Sequence, residues 1–166
     1  MTKYQTYQNL ITNWDSTLTR WEYGMSVKRD KGLKGKATSL HSIVTRMYGA
    51  CENCGKDSSN CQLQCAHINS RRYNSTRALL TNAFCLCAGC HRYFTDHPRE
   101  FSRFITGTWH QDMYDQVFEF ARSSKSLKTD WQLTVDFLKE MQAEISSGNM
   151  SVDDARRHEF KEVFET

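Results

Sequence analysis

Proline is almost missing from this sequence, because Pro98 is the only one among its 166 residues. Long apolar runs are missing too, since no stretch approaches the roughly 20 residues that a membrane-spanning helix needs. The first residues also lack the basic segment and the apolar stretch of an export signal. These absences predict a cytoplasmic chain with no membrane partner. An apolar fraction of 39% instead predicts an ordinary folded core.

Acidic residues are absent from residues 58–95, whereas four arginines occur there: Arg71, Arg72, Arg77 and Arg92. Residues 1–95 hold 13 Lys and Arg against 5 Asp and Glu, and residues 96–166 hold 9 against 14. A one-sided positive field attracts a polyanion such as nucleic acid, because cationic side chains neutralise its phosphates. Charge alone is equally compatible with a solvated basic face that binds no ligand.

Seven cysteines are an odd number for a disulfide framework, and no export signal directs them to an oxidising compartment. Two Cys-x-x-Cys pairs, Cys51 with Cys54 and Cys87 with Cys90, match the spacing with which thiolates bind one tetrahedral zinc ion. We therefore expect a structural zinc that stabilises residues 51–97. The other three cysteines are expected to be buried thiols, with a second metal site as the alternative: Cys61, Cys65 and Cys85.

Helical and alternating patterns together predict an α+β fold embedded in a mostly helical chain. Apolar residues at helical spacing predict an N-terminal helix, with a face formed by Leu10, Trp14, Leu18 and Trp21. A second helix is expected to begin at Thr38 or Ser39 and to bury these residues: Leu40, Ile43, Val44, Met47 and Tyr48. Two strands, at residues 62–66 and 83–87, are expected to flank a polar loop at residues 69–76.

Pro98 suits the first turn of a further helix that buries Phe101, Phe104 and Ile105. Three more helical segments are expected at residues 113–122, 131–145 and 152–164. The last of them begins with Ser151 and Asp154, a variant of the capping box. We divide the chain into an N-terminal helix and basic arm (1–37), a zinc-containing core (38–106) and a C-terminal helical region (107–166).

The basic arm is most pronounced at residues 28–36, which contain five bases and one acid and have no periodicity. We expect a mobile segment whose Lys34 and Lys36 follow a nucleic-acid backbone. A solubilising linker is an equally good interpretation.

The string CENCG…CAHI…TNAFCLCAGCH resembles the zinc-containing HNH endonucleases, also called His-Me finger or ββα-metal nucleases. In that family a histidine ends one strand of a hairpin, an asparagine precedes the second cysteine pair, and a histidine follows the last cysteine. His67, Asn82 and His91 occupy those positions. Phage members look most similar. They have an Ala-His-Ile motif, and a Cys-His pair followed by aromatic residues and a proline, which include Phe94 and Pro98 here. The resemblance covers residues 50–98.

The resemblance implies a ββα-metal hairpin-helix centre with a treble-clef-like zinc on four cysteines, acting as a DNA endonuclease in the cytoplasm (the host's, if the chain is phage-encoded). His67 would be the general base, because a neutral imidazole with a pKa near 6.5 accepts a proton at cytoplasmic pH. His91 would hold a catalytic magnesium or manganese ion. Asn82 would fix the hairpin loop, so that a backbone carbonyl orients His67. The products would be a 5′ phosphate and a 3′ hydroxyl.

One position departs from the family pattern. Many members have a metal-binding Asp or His directly before the base, where this chain has Ala66. Either His91 holds the ion with many waters, or Asp96 or His97 supplies a second ligand. We retain His97 as a candidate ligand, with capping of the next helix as its alternative.

Each histidine also has a structural interpretation. His67 could be a hydrogen-bonded residue at a strand end, and His91 could replace a cysteine as a zinc ligand. Asn82, likewise, could only stabilise a turn. The alternative is therefore that the chain is a non-catalytic zinc-finger module with a DNA-binding or regulatory role.

DNA is the partner that we expect, held by the arginines of residues 58–95. Arginine side chains bind phosphate oxygens through two parallel hydrogen bonds. The acidic C-terminal helices are expected to support the site, with a homodimer or a protein contact as a further option.

Overall fold

The structure is a computed structural model that describes residues 32–109, 111–125 and 127–165. The expected N-terminal helix and His110 lie outside these residues. The described part of the chain contains six α-helices, a two-stranded antiparallel sheet and a short 3-10 helix, which confirms the mixed α and β composition. In chain order the elements are α1 (Gly32–Arg46), β1 (Leu63–His67), the 3-10 helix (Leu80–Asn82), β2 (Ala83–Cys87), α2 (Ala88–Asp96), α3 (Pro98–Thr108), α4 (Gln111–Ser123), α5 (Trp131–Ser146) and α6 (Val152–Phe164).

The β-hairpin is the centre of the chain. Leu63 pairs with Cys87, and His67 pairs with Ala83. Strand β1 therefore begins and ends one residue later than predicted. The predicted bounds of β2 are confirmed, and all five of its residues are buried. The hairpin register therefore brings His67, at the end of β1, beside Ala83, which directly follows Asn82.

The prediction of a mobile basic arm is wrong for its described residues. Helix α1 begins at Gly32 and includes Lys34 and Lys36. Thr38 does not cap this helix, because it lies inside it and its hydroxyl donates a hydrogen bond to the carbonyl of Lys34 at 2.9 Å. The helix is favoured because its early residue Ala37 is packed in the core.

The buried face of α1 also differs from the prediction. Its buried residues are Ala37, His41, Val44 and Thr45. Ile43 and Tyr48 are each 39% exposed. The face is rotated because the fully buried His41 hydrogen-bonds the carbonyl of Leu79, which turns that side of the helix towards the hairpin loop.

The C-terminal helices agree closely with the sequence pattern. Pro98 lies in the first turn of α3. Asp130 caps α5 by accepting a hydrogen bond from the backbone of Leu133. The predicted capping box of Ser151 and Asp154 is present at the start of α6. Across the described ranges, every helix is too short or too polar to cross a membrane.

Two hydrophobic clusters hold these elements together. The first packs α1 against α5 and contains Val44, Leu80, Val135, Leu138 and Met141. The second packs the hairpin against α2 and α3, and it contains Phe84, Leu86, Phe94, Ile105 and the partly buried Phe104. The strands belong to the second cluster, and the segment between them contributes Leu80 to the first, so both cores fix the orientation of the hairpin.

Helix α6 is bonded to the hairpin through two buried ionisable residues. Glu159 accepts hydrogen bonds from the backbone of Leu80 at 2.9 Å and of Thr81 at 2.8 Å, and so anchors the 3-10 helix before Asn82. Arg156 forms an ion pair with Glu52 at 2.6 Å and also donates to the carbonyl of Ala83 at 2.8 Å. Helix α6 therefore holds the 3-10 helix and the start of β2 in place.

Candidate functional site

Four cysteines meet where residues 51–54 approach the end of the hairpin. One sulfur from each of Cys51, Cys54, Cys87 and Cys90 lies within 4.8 Å of all the others. The Sγ atoms of Cys54 and Cys87 are 3.8 Å apart. Zn–S bonds of about 2.3 Å in a tetrahedron give a sulfur–sulfur separation of about 3.8 Å. The two Cys-x-x-Cys pairs therefore form one four-cysteine cluster that could hold a metal ion such as zinc.

The backbone favours negative charge on the sulfur of Cys87, whereas burial raises the pKa of Cys90 to about 12. The amide of Cys90 donates to Sγ of Cys87 at 3.4 Å, at the first turn of α2. That hydrogen bond is the main reason why the pKa of Cys87 is lowered to about 7. Asn53 donates its side-chain amide to Sγ of Cys90 at 3.2 Å. Gly55 turns the first pair with a φ of +74°, which L side chains rarely adopt.

His67 is held through one ring nitrogen. Its Nε2 lies 3.0 Å from the carbonyl oxygen of Arg77. A carbonyl only accepts, so Nε2 carries the proton and the neutral ring keeps an unprotonated Nδ1. Burial is the main cause that lowers the pKa of His67 to about 4, and the charges of Arg71, Arg77 and His91 contribute in the same direction. The imidazole is therefore neutral near pH 7, and its Nδ1 is free of a proton.

Asn82 fixes the loop that orients His67. It is fully buried, and its Oδ1 accepts hydrogen bonds from the backbone amide of Asn69 at 2.8 Å and from the side chain of Asn69 at 3.1 Å. Its Nδ2 donates to the carbonyls of Asn69 at 3.2 Å and Thr76 at 2.9 Å. Thr76 directly precedes Arg77, whose carbonyl binds His67. The amide of Asn82 thus spans the loop from its start to its end.

His91 is also oriented through one nitrogen. It lies on α2, directly after Cys90, and its Nδ1 donates to Oε1 of Gln64 at 2.7 Å. Its Nε2 is then the unprotonated nitrogen, which is the atom that binds a metal ion. Burial and then the charge of Arg71 lower the pKa of His91. His91 also lowers the pKa of His67, so the two imidazoles interact electrostatically.

The predicted phosphate-binding residues differ in their availability. Arg71 and Arg92 are exposed, and Arg71 is near enough to lower the pKa of both His67 and His91. Arg72 is exposed, with its guanidinium 5.7 Å from the ring centre of Tyr73. Arg77 is instead engaged within the protein, because it donates to the hydroxyl of Thr38 at 3.0 Å and to the carbonyl of Arg71 at 2.9 Å.

Lys34 and Lys36, which were predicted to lie in a mobile arm, differ in their exposure on α1. Lys34 is half-buried, with its ammonium 5.9 Å from the ring centre of Trp131. Lys36 is exposed. Of the two, Lys36 is the better candidate for contact with a polyanion.

His97 occupies the N-cap position of α3, but its side chain makes no capping hydrogen bond. Its Nδ1 lies 2.8 Å from the carbonyl of Tyr93, and its ring stacks on Tyr93 at 4.3 Å. Among the described residues, no group of three or more metal-binding side chains includes His91, His97 or Asp96. Asp96 and His97 also follow His91 by five and six residues, away from the i+3 and i+4 positions that share a helix face with it, so neither is placed as a second ligand beside His91.

The three remaining cysteines do not form a cluster of their own within the described ranges. Sγ of Cys61 is 3.3 Å from the carbonyl of Asp57, whereas Cys85 is fully buried in the core of the hairpin. Cys65 faces His41, with its sulfur 3.7 Å from Nδ1 of that residue. The alternative of a second metal on these three cysteines is therefore wrong.

Sequence reasoning missed two contributors to the site and did not assign a third. Gln64 orients His91, and His41 lies beside His67 with the ring centres 5.0 Å apart. The backbone carbonyl that was expected to orient His67 is that of Arg77. Ala66 stands where many members of the family have a metal ligand. Gln64 lies two residues before it, and alternation along β1 places the two on the same face, so this pattern could have indicated Gln64. His41 gave no such signal, because its bonding partner Leu79 lies 38 residues further along the chain.

No match to this chain was found among protein-family models, curated proteins or solved structures. The geometry of its own side chains is therefore the basis for any functional proposal.

Proposed function

We propose that the chain is a metal-dependent HNH endonuclease that hydrolyses DNA phosphodiester bonds. The observation that carries this proposal is the linkage of Asn82, the loop after β1 and the carbonyl of Arg77, which leaves Nδ1 of His67 unprotonated. That linkage is what a general base at the end of a β-strand requires. In this interpretation the hairpin and α2 form a ββα-metal centre, and the four-cysteine cluster is a treble-clef-like zinc site.

His67 would act on the attacking water. Its Nδ1 takes a proton from the water as the oxygen forms a bond to phosphorus and the bond from phosphorus to the 3′ oxygen breaks, and the departing 3′ oxygen takes a proton from solvent. The products are a 5′ phosphate and a 3′ hydroxyl. Because the pKa of His67 is about 4, most of the enzyme would hold the base in its active form at neutral pH.

His91 would hold the divalent ion through Nε2. The only side-chain ligand is one imidazole, because Ala66 offers no ligand atom. Magnesium or manganese would therefore keep most of its waters. When bound, such an ion offsets negative charge on the phosphate and assists the departure of the 3′ oxygen. Gln64 is a positioning residue here, because it fixes the ring of His91 without occupying Nε2.

The exposed arginines would bind the substrate backbone. Arg71 lies close to both histidines, and Arg92 directly follows His91 on α2. Both can donate to phosphate oxygens on either side of the scissile bond. Contacts of this kind do not read bases, so we expect weak sequence preference and strong dependence of binding on salt.

A non-catalytic DNA-binding module is the second candidate. Two observations favour it: Ala66 replaces the usual second ligand, and among the described residues no group of three or more metal-binding side chains includes His91. Such a module would keep the four-cysteine cluster and the arginines, and it would bind DNA in a salt-dependent way without cutting it.

Incubation with supercoiled plasmid separates the two candidates. We expect wild-type protein loaded with one equivalent of zinc, enough for the four cysteines alone, to nick or linearise the plasmid with magnesium or manganese, and EDTA added at the start to stop the reaction. His67→Ala and His91→Ala should each lower the rate at least about 10²-fold. His97→Ala is the matched control, since it removes an exposed imidazole from the far end of α2. Binding without cleavage under all these conditions would establish the non-catalytic module instead.

A further inference from the structure

Helix α1 and strand β1 bring a second group of metal-binding side chains together. One ligand atom from each of His41, Cys65 and His67 lies within 4.8 Å of the other two. The group is separate from the four-cysteine cluster and does not include His91. His41 is fully buried, and Cys65 and His67 are half-buried, so solvent reaches the group from the side of Cys65 and His67.

Both imidazoles are oriented in the way that metal-binding histidines are. Nε2 of His41 donates to the carbonyl of Leu79 at 2.8 Å, and Nε2 of His67 donates to the carbonyl of Arg77 at 3.0 Å. A hydrogen bond to a backbone carbonyl fixes the ring and leaves the other nitrogen unprotonated as a ligand. Each of these two histidines therefore presents Nδ1 for coordination.

The distance between two of the ligand atoms fits a single ion. Nδ1 of His41 is 3.7 Å from Sγ of Cys65. A tetrahedral ion with a bond of about 2.3 Å to sulfur and about 2.0–2.1 Å to nitrogen separates those atoms by about 3.5 Å. A change of a few tenths of an ångström would thus let both atoms contact the same ion.

We infer that His41, Cys65 and His67 form a second transition-metal site with one open coordination position. A thiolate and two imidazoles select zinc or a similar borderline ion such as cobalt, whereas magnesium prefers oxygen ligands. Binding replaces the proton of the Cys65 thiol by the metal and releases that proton to solvent. The fourth position is left for water.

This site would regulate the proposed endonuclease, and that part of the inference rests on the proposed function. An ion on Nδ1 of His67 occupies the lone pair that would take the proton of the attacking water. Zinc at this site would therefore inhibit cleavage, even when magnesium is available at His91. The structural zinc on the four cysteines would be unaffected.

Metal stoichiometry tests the site without any DNA. Reduced protein would be titrated with cobalt, followed by its visible absorption, and excess metal would be removed before elemental analysis. We expect wild-type protein to retain about two ions per chain and to show the bands of two different sites. Cys65→Ala should retain about one ion, the one with four sulfur ligands. The matched control Cys61→Ala should retain about two, because Cys61 belongs to neither group.

His67→Ala is the second variant, for the case in which Cys65→Ala does not fold. It removes a different ligand of the same group and should also retain about one ion. One ion in wild type, or two ions in every variant, would overturn the second site.

Cleavage assays then test the regulation separately. In magnesium, added zinc should inhibit wild type and Cys61→Ala but not Cys65→Ala. Zinc inhibition that persists in Cys65→Ala would overturn the regulatory part. If wild type does not cleave DNA in magnesium at all, the proposed function fails while the stoichiometry result still decides the metal site.

Discussion

Replacing Arg156 with methionine should strongly destabilise the protein. The guanidinium of Arg156 contacts both carboxylate oxygens of Glu52, at 2.6 and 3.0 Å, and the two side chains are each only 4% exposed. It also donates to the carbonyl of Ala83 at 2.8 Å. Arg156→Met keeps most of the side-chain volume but removes every one of these donors.

The expected loss follows from what the substitution leaves behind. A buried carboxylate that loses its charged partner costs about 3–5 kcal/mol of unfolding free energy, because it remains desolvated with no cation beside it. The backbone amide of Cys85 still donates to Glu52, so we expect the lower part of this range. The Ala83 carbonyl loses a further hydrogen bond, which contributes about 1 kcal/mol within that total. Glu52 lies inside the first Cys-x-x-Cys pair, so we also expect weaker zinc binding.

Guanidinium chloride unfolding of the zinc-loaded protein measures this loss. Arg157→Met is the matched control, because Arg157 pairs with Asp154 at the surface, where the two side chains are 66% and 52% exposed. That pair should contribute less than about 1 kcal/mol. The double variant Arg156→Met with Glu52→Gln should recover part of the loss, since the buried charge is then gone. Equal losses for Arg156→Met and Arg157→Met would refute the reasoning.

Two further predictions concern the site. Asn82→Ala should cost about 2–4 kcal/mol of unfolding free energy, because buried backbone groups of the loop lose their partners. Asn82→Asp should cost at least as much, because it buries a carboxylate and places an oxygen against the carbonyls of Asn69 and Thr76; chemical denaturation measures both variants against wild type, and a cost near zero for either would contradict this. Stability should fall as the pH decreases from about 6.5, since burial lowers the pKa of His41 to about 3 and the unfolded chain therefore binds the proton more readily. The fall should reach about 1.4 kcal/mol per pH unit for this group. His41→Gln, compared with wild type between pH 6.5 and 5.5, should be less sensitive; equal slopes would contradict this.

Local sequence patterns predicted the elements whose causes are local. Helix α6 begins at its capping box, α5 repeats apolar residues at helical spacing, and β2 is a short apolar run. The two Cys-x-x-Cys pairs likewise predicted a four-cysteine cluster, since each pair holds its sulfurs in one tight turn.

Long-range contacts determine what the sequence did not predict. Residues 32–36 have a composition typical of a linker, yet they are helical because α1 packs against α5. The ion pair between Glu52 and Arg156 joins residues 104 positions apart, and no local pattern indicates it. His41 similarly reaches Cys65 across 24 positions. Such pairs depend on how the elements pack, which periodicity alone does not specify.

The most direct test of the central claim is chemical rescue of His67→Ala on a DNA substrate with magnesium. If Nδ1 of His67 is the general base, the variant should be at least about 10²-fold slower than wild type, and added imidazole should restore part of the rate. The restored rate should follow the concentration of neutral imidazole as the pH is varied. Cleavage by His67→Ala at the wild-type rate, without imidazole, would contradict the proposed role of this residue.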